Sequence, residues 1–230
     1  EAMEGQEYLP DHMLLEHVEY FVSHPVPAAW GCLCIGEPPE DLFKNNICLI
    51  FPENTDRTSL YHDVQKIFFL YNSWEMEIRK AMQRNATLEE MCNLCIPIFE
   101  KPIFIHDRNN ELLAIANEMA GQFSWQYDET FEKYNLPLEI LNTFKSSDEY
   151  HKTLHTYGAH VFSAKATGYR TLYVNLRIEW VYVGRVCLDE IGTPIRKRDY
   201  ELLEFFADNI ALAMQQGMLL VSDVSNVLSI

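Results

Sequence analysis

Two apolar runs, 171–178 and 181–189, are separated only by Glu179-Trp180, and the second passes through the polar break Glu190-Ile191-Gly192-Thr193-Pro194 into a long amphipathic stretch. A two-residue connection suits an antiparallel hairpin, so this third of the chain is committed to a sheet with a helix following it. In the first run alternation puts Leu172, Val174, Leu176 and Ile178 on one face and Thr171, Tyr173, Asn175 and Arg177 on the other. The purely apolar face belongs to helices. From Lys197 to about Leu220, Leu203, Phe206, Ile210, Met214 and Met218 form one helical stripe, and residues 195–199 carry its start signal.

Further strands are expected at 101–106, 111–116 and 159–164, the first two joined by the turn Asp107-Arg108-Asn109-Asn110, which completes a five-stranded antiparallel sheet. Phe104 and His106 alternate with Ile103 and Ile105, and His160 and Phe162 alternate with Val161. Three strands that each pair an aromatic ring with a polar group on one face describe an apolar pocket wall with a few hydrogen-bonding groups. An amphipathic sheet with one wet face is the simpler alternative, but large aromatic rings are costly to leave exposed as a patch. The pocket residues are therefore expected to be Phe104, His106, His160, Phe162, Tyr173, Asn175 and Arg177, with Arg177 the natural partner for a ligand carboxylate. The irregular excursion 117–156, with one helix at 138–144, has the length of a lid, and Trp125 and Tyr127 would close over the pocket.

Upstream, residues 10–23 place Met13, Leu14, Val18 and Phe21 at helical spacing, and Trp30 to Ile35 and Asn46 to Phe51 read as two buried strands with a loop at 36–41 between them. A helix of about 27 residues follows Asp56, with Leu60, Val64, Ile67, Phe68, Tyr71, Trp74, Ile78 and Met82 at steps of three and four. It suits a dimer seam or a transmission rod as well as simple packing. Thr87 and Glu90 make a capping box that opens a second helix through about Phe99. The expected organisation is a small α/β domain over 1–57, a connecting helix over 58–84, a sensor domain over 85–220 and a tail over 221–230.

Charge excludes some functions. With 34 acidic against 18 basic residues the net charge is −16, which repels phosphate backbones and anionic lipid head groups. No apolar run approaches the roughly 20 residues of a membrane-spanning helix, and no secretory signal is visible. Four of the six cysteines sit in apolar strand-like runs as small hydrophobes, which points to reduced thiols and a cytoplasmic location. Cys92-x-x-Cys95 lacks a second pair, His151 and His155 have no nearby third ligand other than Glu149 and read as a solvent-exposed pair, the glycines form no phosphate loop, and His106-Asp107 is turn chemistry rather than a catalytic pair, since adjacent strand residues face opposite ways. No catalytic residue and no metal site is expected.

The segment TLEEMCNLCIPIFEKPIFIHDRNNELLAIAN, 87–117, resembles the start of the GAF-like sensory domain of PucR-like or CdaR-like bacterial transcription regulators. VYVGRVCLDEIGTPIRKRDYELLEFFADNIALAMQQ, 181–216, is similar to the closing strand and helix of GAF domains, with Gly184, Asp199 and the run Leu202 to Ala213 matching. Asn46-Ile47-Cys48 and Tyr71-Asn72-Ser73-Trp74-Glu75 resemble the small domain that precedes it. The resemblance implies an α+β chain with a GAF/PAS-like domain, its five-stranded antiparallel sheet flanked by helices. It further implies a small-molecule effector, a homodimer, and DNA contacted only through a C-terminal helix-turn-helix absent from this chain; it does not choose a ligand or cofactor. A dimerisation or protein-interaction module with a side-chain-filled core is the alternative, and a GAF-type sulfoxide reductase with reactive cysteines is the enzyme reading.

Overall fold

A computed structural model describes residues 13–26 and 31–215. The chain divides into two compact units, Glu1–Tyr71 and Asn72–Ile230, and the division falls inside a long helix.

In the first unit, β1 (Met13–His17), β2 (Gly31–Ile35) and β3 (Ile47–Phe51) form a parallel sheet in that order, with α1 (Val18–Ser23) and α2 (Glu40–Asn45) in the connections. The expected helix over 10–23 is corrected: Met13–His17 is a strand and only Val18–Ser23 is helical, while residues 10–12 lie outside the described residues. Leu14 and Phe21 are buried, and parallel pairing with β2 makes Met13–His17 a strand. Cys32, Leu33, Cys34 and Ile35 of β2 are buried, as expected for that strand, whereas Trp30 lies outside the described residues. The third strand departs from expectation. Ile47, Leu49 and Ile50 are exposed, since among the described residues too little packs on the faces of β3, the edge strand beside β2, to cover them. The predicted loop over 36–41 ends early, Glu40 and Asp41 forming the first turn of α2.

The long helix α3 (Arg57–Gln83) has 27 residues, as its periodicity requires. Its first half carries exposed Ile67, Phe68 and Phe69; its second half buries Trp74, Ile78, Ala81 and Met82.

The second unit opens with α4 (Leu88–Leu94), whose capping box is complete: the Glu90 amide donates to Thr87 Oγ1 (3.1 Å) and the Thr87 amide to Glu90 Oε2 (3.0 Å). The expected continuous helix to Phe99 is broken at Cys95, after which α5 (Ile96–Phe99) ends on Glu100 in the left-handed region. Then follow β4 (Ile103–Asp107), β5 (Leu112–Ala116), β6 (Gln126–Asp128), β7 (Lys133–Asn135), α6 (Leu138–Lys145), α7 (Asp148–Thr153), β8 (Ala159–Phe162), β9 (Thr171–Ile178), β10 (Val181–Asp189) and α8 (Lys197–Gln215). The sheet is five-stranded and antiparallel throughout, in the order β5-β4-β10-β9-β8, and helices flank it. The fold is α+β, as the sequence implied.

Two turns show why the strands sit where they do. Asp107 Oδ1 accepts the amides of Asn109 and Glu111, both at 2.8 Å, and so closes the β4–β5 hairpin. Glu179 and Trp180 both take positive φ, 48° and 72°, the backbone a two-residue hairpin demands. Beyond that turn the register of β10 slips by one residue between Tyr182 and Gly184. Gly184 then lies so close to β4 that a Cβ there would stand 2.4 Å from the His106 carbonyl oxygen.

The helical face of the sheet is apolar. Ile103, Ile105, Leu172, Leu176, Val186 and Leu188 are fully buried, and α8 packs across β8, β9 and β10 with Leu203, Phe206, Ile210 and Met214 buried. One buried ion pair anchors its start: Lys101 Nζ donates to Asp199 Oδ2 at 3.0 Å, both side chains at 0% exposure. The same oxygen accepts the Arg196 amide at 2.9 Å and so caps α8. The remainder of the predicted helix, residues 216–220, lies outside the described residues.

Candidate functional site

The opposite face of the same sheet collects Phe104 and His106 from β4, Phe162 from β8, Thr171 and Tyr173 from β9, and Arg185 and Cys187 from β10. The excursion 117–156 covers them. It is more regular than its sequence suggested, containing β6, β7 and α7 besides the expected α6, and it supplies Phe123, Leu136, Phe144 and Tyr150 to the cover. Between sheet and cover lies a cavity of about 40 Å³.

Its walls are aromatic. Phe144 stacks on Tyr150 (centroids 4.3 Å apart), Phe162 stands edge-on to Phe144 (5.5 Å), and Phe123 and Trp125 both meet Phe104 edge-on, at 6.3 and 5.4 Å. Trp125 is thus part of the cover, and its indole Nε1 is buried without an acceptor.

Arg185 is set among these rings at 4% exposure. Its guanidinium lies 4.3 Å from the centre of the Tyr173 ring and 5.6 Å from that of Tyr150. Nε donates to Asn175 Oδ1 and Nη2 to Thr153 Oγ1, each at 2.9 Å. His106 lines the same cavity. Burial and the nearby Arg185 push its pKa down from 6.5 to about 3, so the ring is neutral. Its Nδ1 sits 2.8 Å from the Asp107 carbonyl, which can only accept, so Nδ1 carries the proton and Nε2 is the free acceptor. The Cys187 thiol is raised well above its ordinary range by burial and remains protonated.

Of the residues singled out by the sequence, Phe104, His106, Phe162 and Tyr173 meet at the cavity and Trp125 packs on its edge. The others lie elsewhere. Asn175 shares their face but is consumed structurally, its amide donating to the Thr153 and Thr156 carbonyls at 2.7 and 3.0 Å. Arg177 reaches the Leu154 carbonyl (2.7 Å) and stacks over Tyr157 (4.8 Å). Both line an open cleft of about 450 Å³ at the sheet end, bounded by Tyr157, Trp180, Glu204 and Asp208. His160 is exposed and donates through Nε2 to the Tyr157 carbonyl (3.0 Å). Tyr127 is 52% exposed on β6, its ring 5.0 Å from that of Tyr134.

Arg185, Cys187, Thr167, Leu136, Tyr150, Phe123 and Phe144 were not anticipated, and the sequence places Thr171 only on the same strand face. The signal for Arg185 and Cys187 is their i,i+2 spacing on β10, opposite Asn175 and Tyr173. Among the described residues no group of His, Cys, Asp or Glu side chains is placed to hold a metal ion, and no helix is long and apolar enough to cross a membrane. Cys92 and Cys95 are fully buried, and burial raises both thiols far above their ordinary pKa.

No family model matches the sequence, and no curated protein matches it. Among solved structures the chain is similar to the cofactor-binding GAF domain of the nutrient sensor CodY from Clostridium difficile, at 12% identity and a TM-score of 0.44 over 61% of this chain and 94% of that one. It is also similar to the phycoerythrobilin-bound GAF domain of a cyanobacterial phytochrome, at 10% identity and 0.46 over 63% and 94%. A third likeness is the type II free methionine-R-sulfoxide reductase from Thermoplasma acidophilum, at 16% identity and 0.33 over 57% and 92%. At such TM-scores these likenesses add nothing to the strand order, which establishes the five-stranded antiparallel sheet flanked by helices on its own.

Proposed function

We propose that the second unit is a ligand-sensing regulatory domain, in which a small molecule enters between the aromatic face of the sheet and the cover formed by the excursion. One observation carries this reading: the covered face of the sheet closes over a cavity whose wall includes a buried arginine and a neutral histidine, groups that an inert core has no need to bury. Raised thiol pKa values at Cys92, Cys95 and Cys187 support a regulatory rather than a catalytic role, since the thiolate is the nucleophile.

The route outward runs through the sheet. Phe104 lies three residues beyond Lys101, and Lys101 grips Asp199 at the start of α8. A ligand that shifts β4 therefore acts on the helix packed on the opposite face. In this reading α8 carries the signal toward a C-terminal DNA-binding output of the PucR-like or CdaR-like kind in a cytoplasmic homodimer, with the exposed Ile67, Phe68 and Phe69 of α3 available to a partner.

A second reading is favoured by the size of the cavity. Forty cubic ångströms is far below the roughly 300 Å³ of an ordinary small-molecule site, which suits an interaction module with a filled core. Thermal unfolding against a broad metabolite set separates the two, because a ligand of the folded state raises the melting temperature by mass action. The sensor reading expects at least one such compound, and expects it to alter amide exchange in α8. A concentration-dependent dimer that no compound stabilises would leave the interaction module.

A further inference from the structure

We infer that the cavity is an anion subsite whose ligand is a small aliphatic carboxylate bound by Arg185; this rests on the sensor reading of the same cavity. Twelve residues line the space, and with His106 held neutral, Arg185 carries the only formal charge among them. A buried guanidinium ordinarily meets a carboxylate, because taking a lone cation out of water is costly. Here it meets none. Its hydrogen-bonding partners are a side-chain amide and a hydroxyl, its ring contacts are tyrosines, and among the described residues no acceptor meets Nη1.

The surrounding acids are each engaged elsewhere. Asp189, four residues along β10 from Arg185, accepts from Thr171 Oγ1 (2.7 Å) and Gln122 Nε2 (2.9 Å). Asp107 is turned onto the amides of its own hairpin, and Glu149 onto Ser163. In a chain of net charge −16 with 34 acidic residues, leaving this buried cation without a carboxylate keeps its Nη1 end open for a ligand's. Phe104 and Phe162 on the same wall offer an apolar surface to the remainder of the molecule. A cavity of about 40 Å³ has room for only about one to three waters, so the ligand has few heavy atoms unless the cover moves.

The test uses the 230-residue chain with matched pairs: sodium acetate, propanoate and butanoate against acetamide, propanamide and butanamide, at ionic strength balanced with sodium chloride. At about a hundredfold excess over the dissociation constant, a bound carboxylate is expected to raise the melting temperature by roughly 5 to 10 °C while its amide does not. Arg185→Gln is expected to weaken carboxylate binding roughly tenfold or more, and Arg185→Lys by less. If Arg185→Gln does not fold, the acid and amide pairs on the unaltered chain still decide.

Equal stabilisation by acids and amides, or undiminished carboxylate binding in a folded Arg185→Gln, overturns the anion assignment and leaves the sensor reading standing. If neither set stabilises the chain, the small-carboxylate assignment falls, and the metabolite screen with its α8 exchange readout decides the sensor reading separately.

Discussion

On β9, Leu172, Leu176 and Ile178 turn toward α8 and disappear into an apolar layer, while Tyr173, Asn175 and Arg177 turn the other way into hydrogen bonds and stacked rings. One strand thus serves two environments. The α8 face contains what a fold needs to be stable: branched aliphatic residues against a helix stripe. The covered face accepts costs that stability does not require, a buried cation with no carboxylate partner, unlike Lys101 beside α8, and a buried histidine held neutral. Such costs are tolerated where a binding partner offsets them.

The largest test of this contrast is Phe206→Ala on the α8 face, which should cost about 3–5 kcal/mol in chemical denaturation by leaving a cavity in close-packed surroundings. A smaller loss, about 1–3 kcal/mol, is expected for Gly184→Ala, since the new methyl must displace β4 backbone at the seam that both faces share. Arg185→Met should change stability by less than about 1 kcal/mol: removing a lone buried charge offsets the unpaired Asn175 oxygen it leaves behind. A loss as large as that of Phe206→Ala would show that both faces are equally structural.

A further test lies in the pH profile. His106 has its folded pKa depressed from 6.5 to about 3, so the stability it allows is present above about pH 6.5 and lost as pH falls toward 3. Asp189 runs the opposite way: burial raises it from 3.8 to about 6, so its contribution is full below 3.8 and lost as pH rises through 6. Between about pH 4 and 6 the two oppose each other. Asp189→Asn should therefore make stability rise more steeply with pH across that window, and an unchanged slope in urea titrations would count against the covered face being the titrating one.

Much of this was legible in the sequence because alternation is a local signal. The strands read at 101–106 and 111–116, found at 103–107 and 112–116, the strand 171–178, the capping box at Thr87 and the 27-residue helix all follow from spacing. The strand at Met13–His17 was not, since its apolar spacing fits a helix equally well and only pairing with β2 decides. Arg185 was hidden for a sharper reason. Counted back from the turn at Glu179-Trp180, an unbroken ladder would set Arg185 opposite Val174, on the α8 face; the slip between Tyr182 and Gly184 sets it opposite Asn175 instead. One extra residue in a strand carries every later side chain to the other side. Arg177, before the turn, was assigned to the right face but spends its head group on the Leu154 carbonyl.

The Lys101 and Asp199 pair has a mechanical meaning. It fixes α8 at one end, and on the sensor reading the 19-residue helix, about 28 Å long, would act as a lever whose fulcrum is that ion pair. A tilt of about 5° at the fulcrum displaces the Gln215 end by roughly 2.5 Å, whereas the anchored end hardly moves. On the sensor reading proposed above, a small rearrangement beneath the sheet would reach the far end of the helix enlarged.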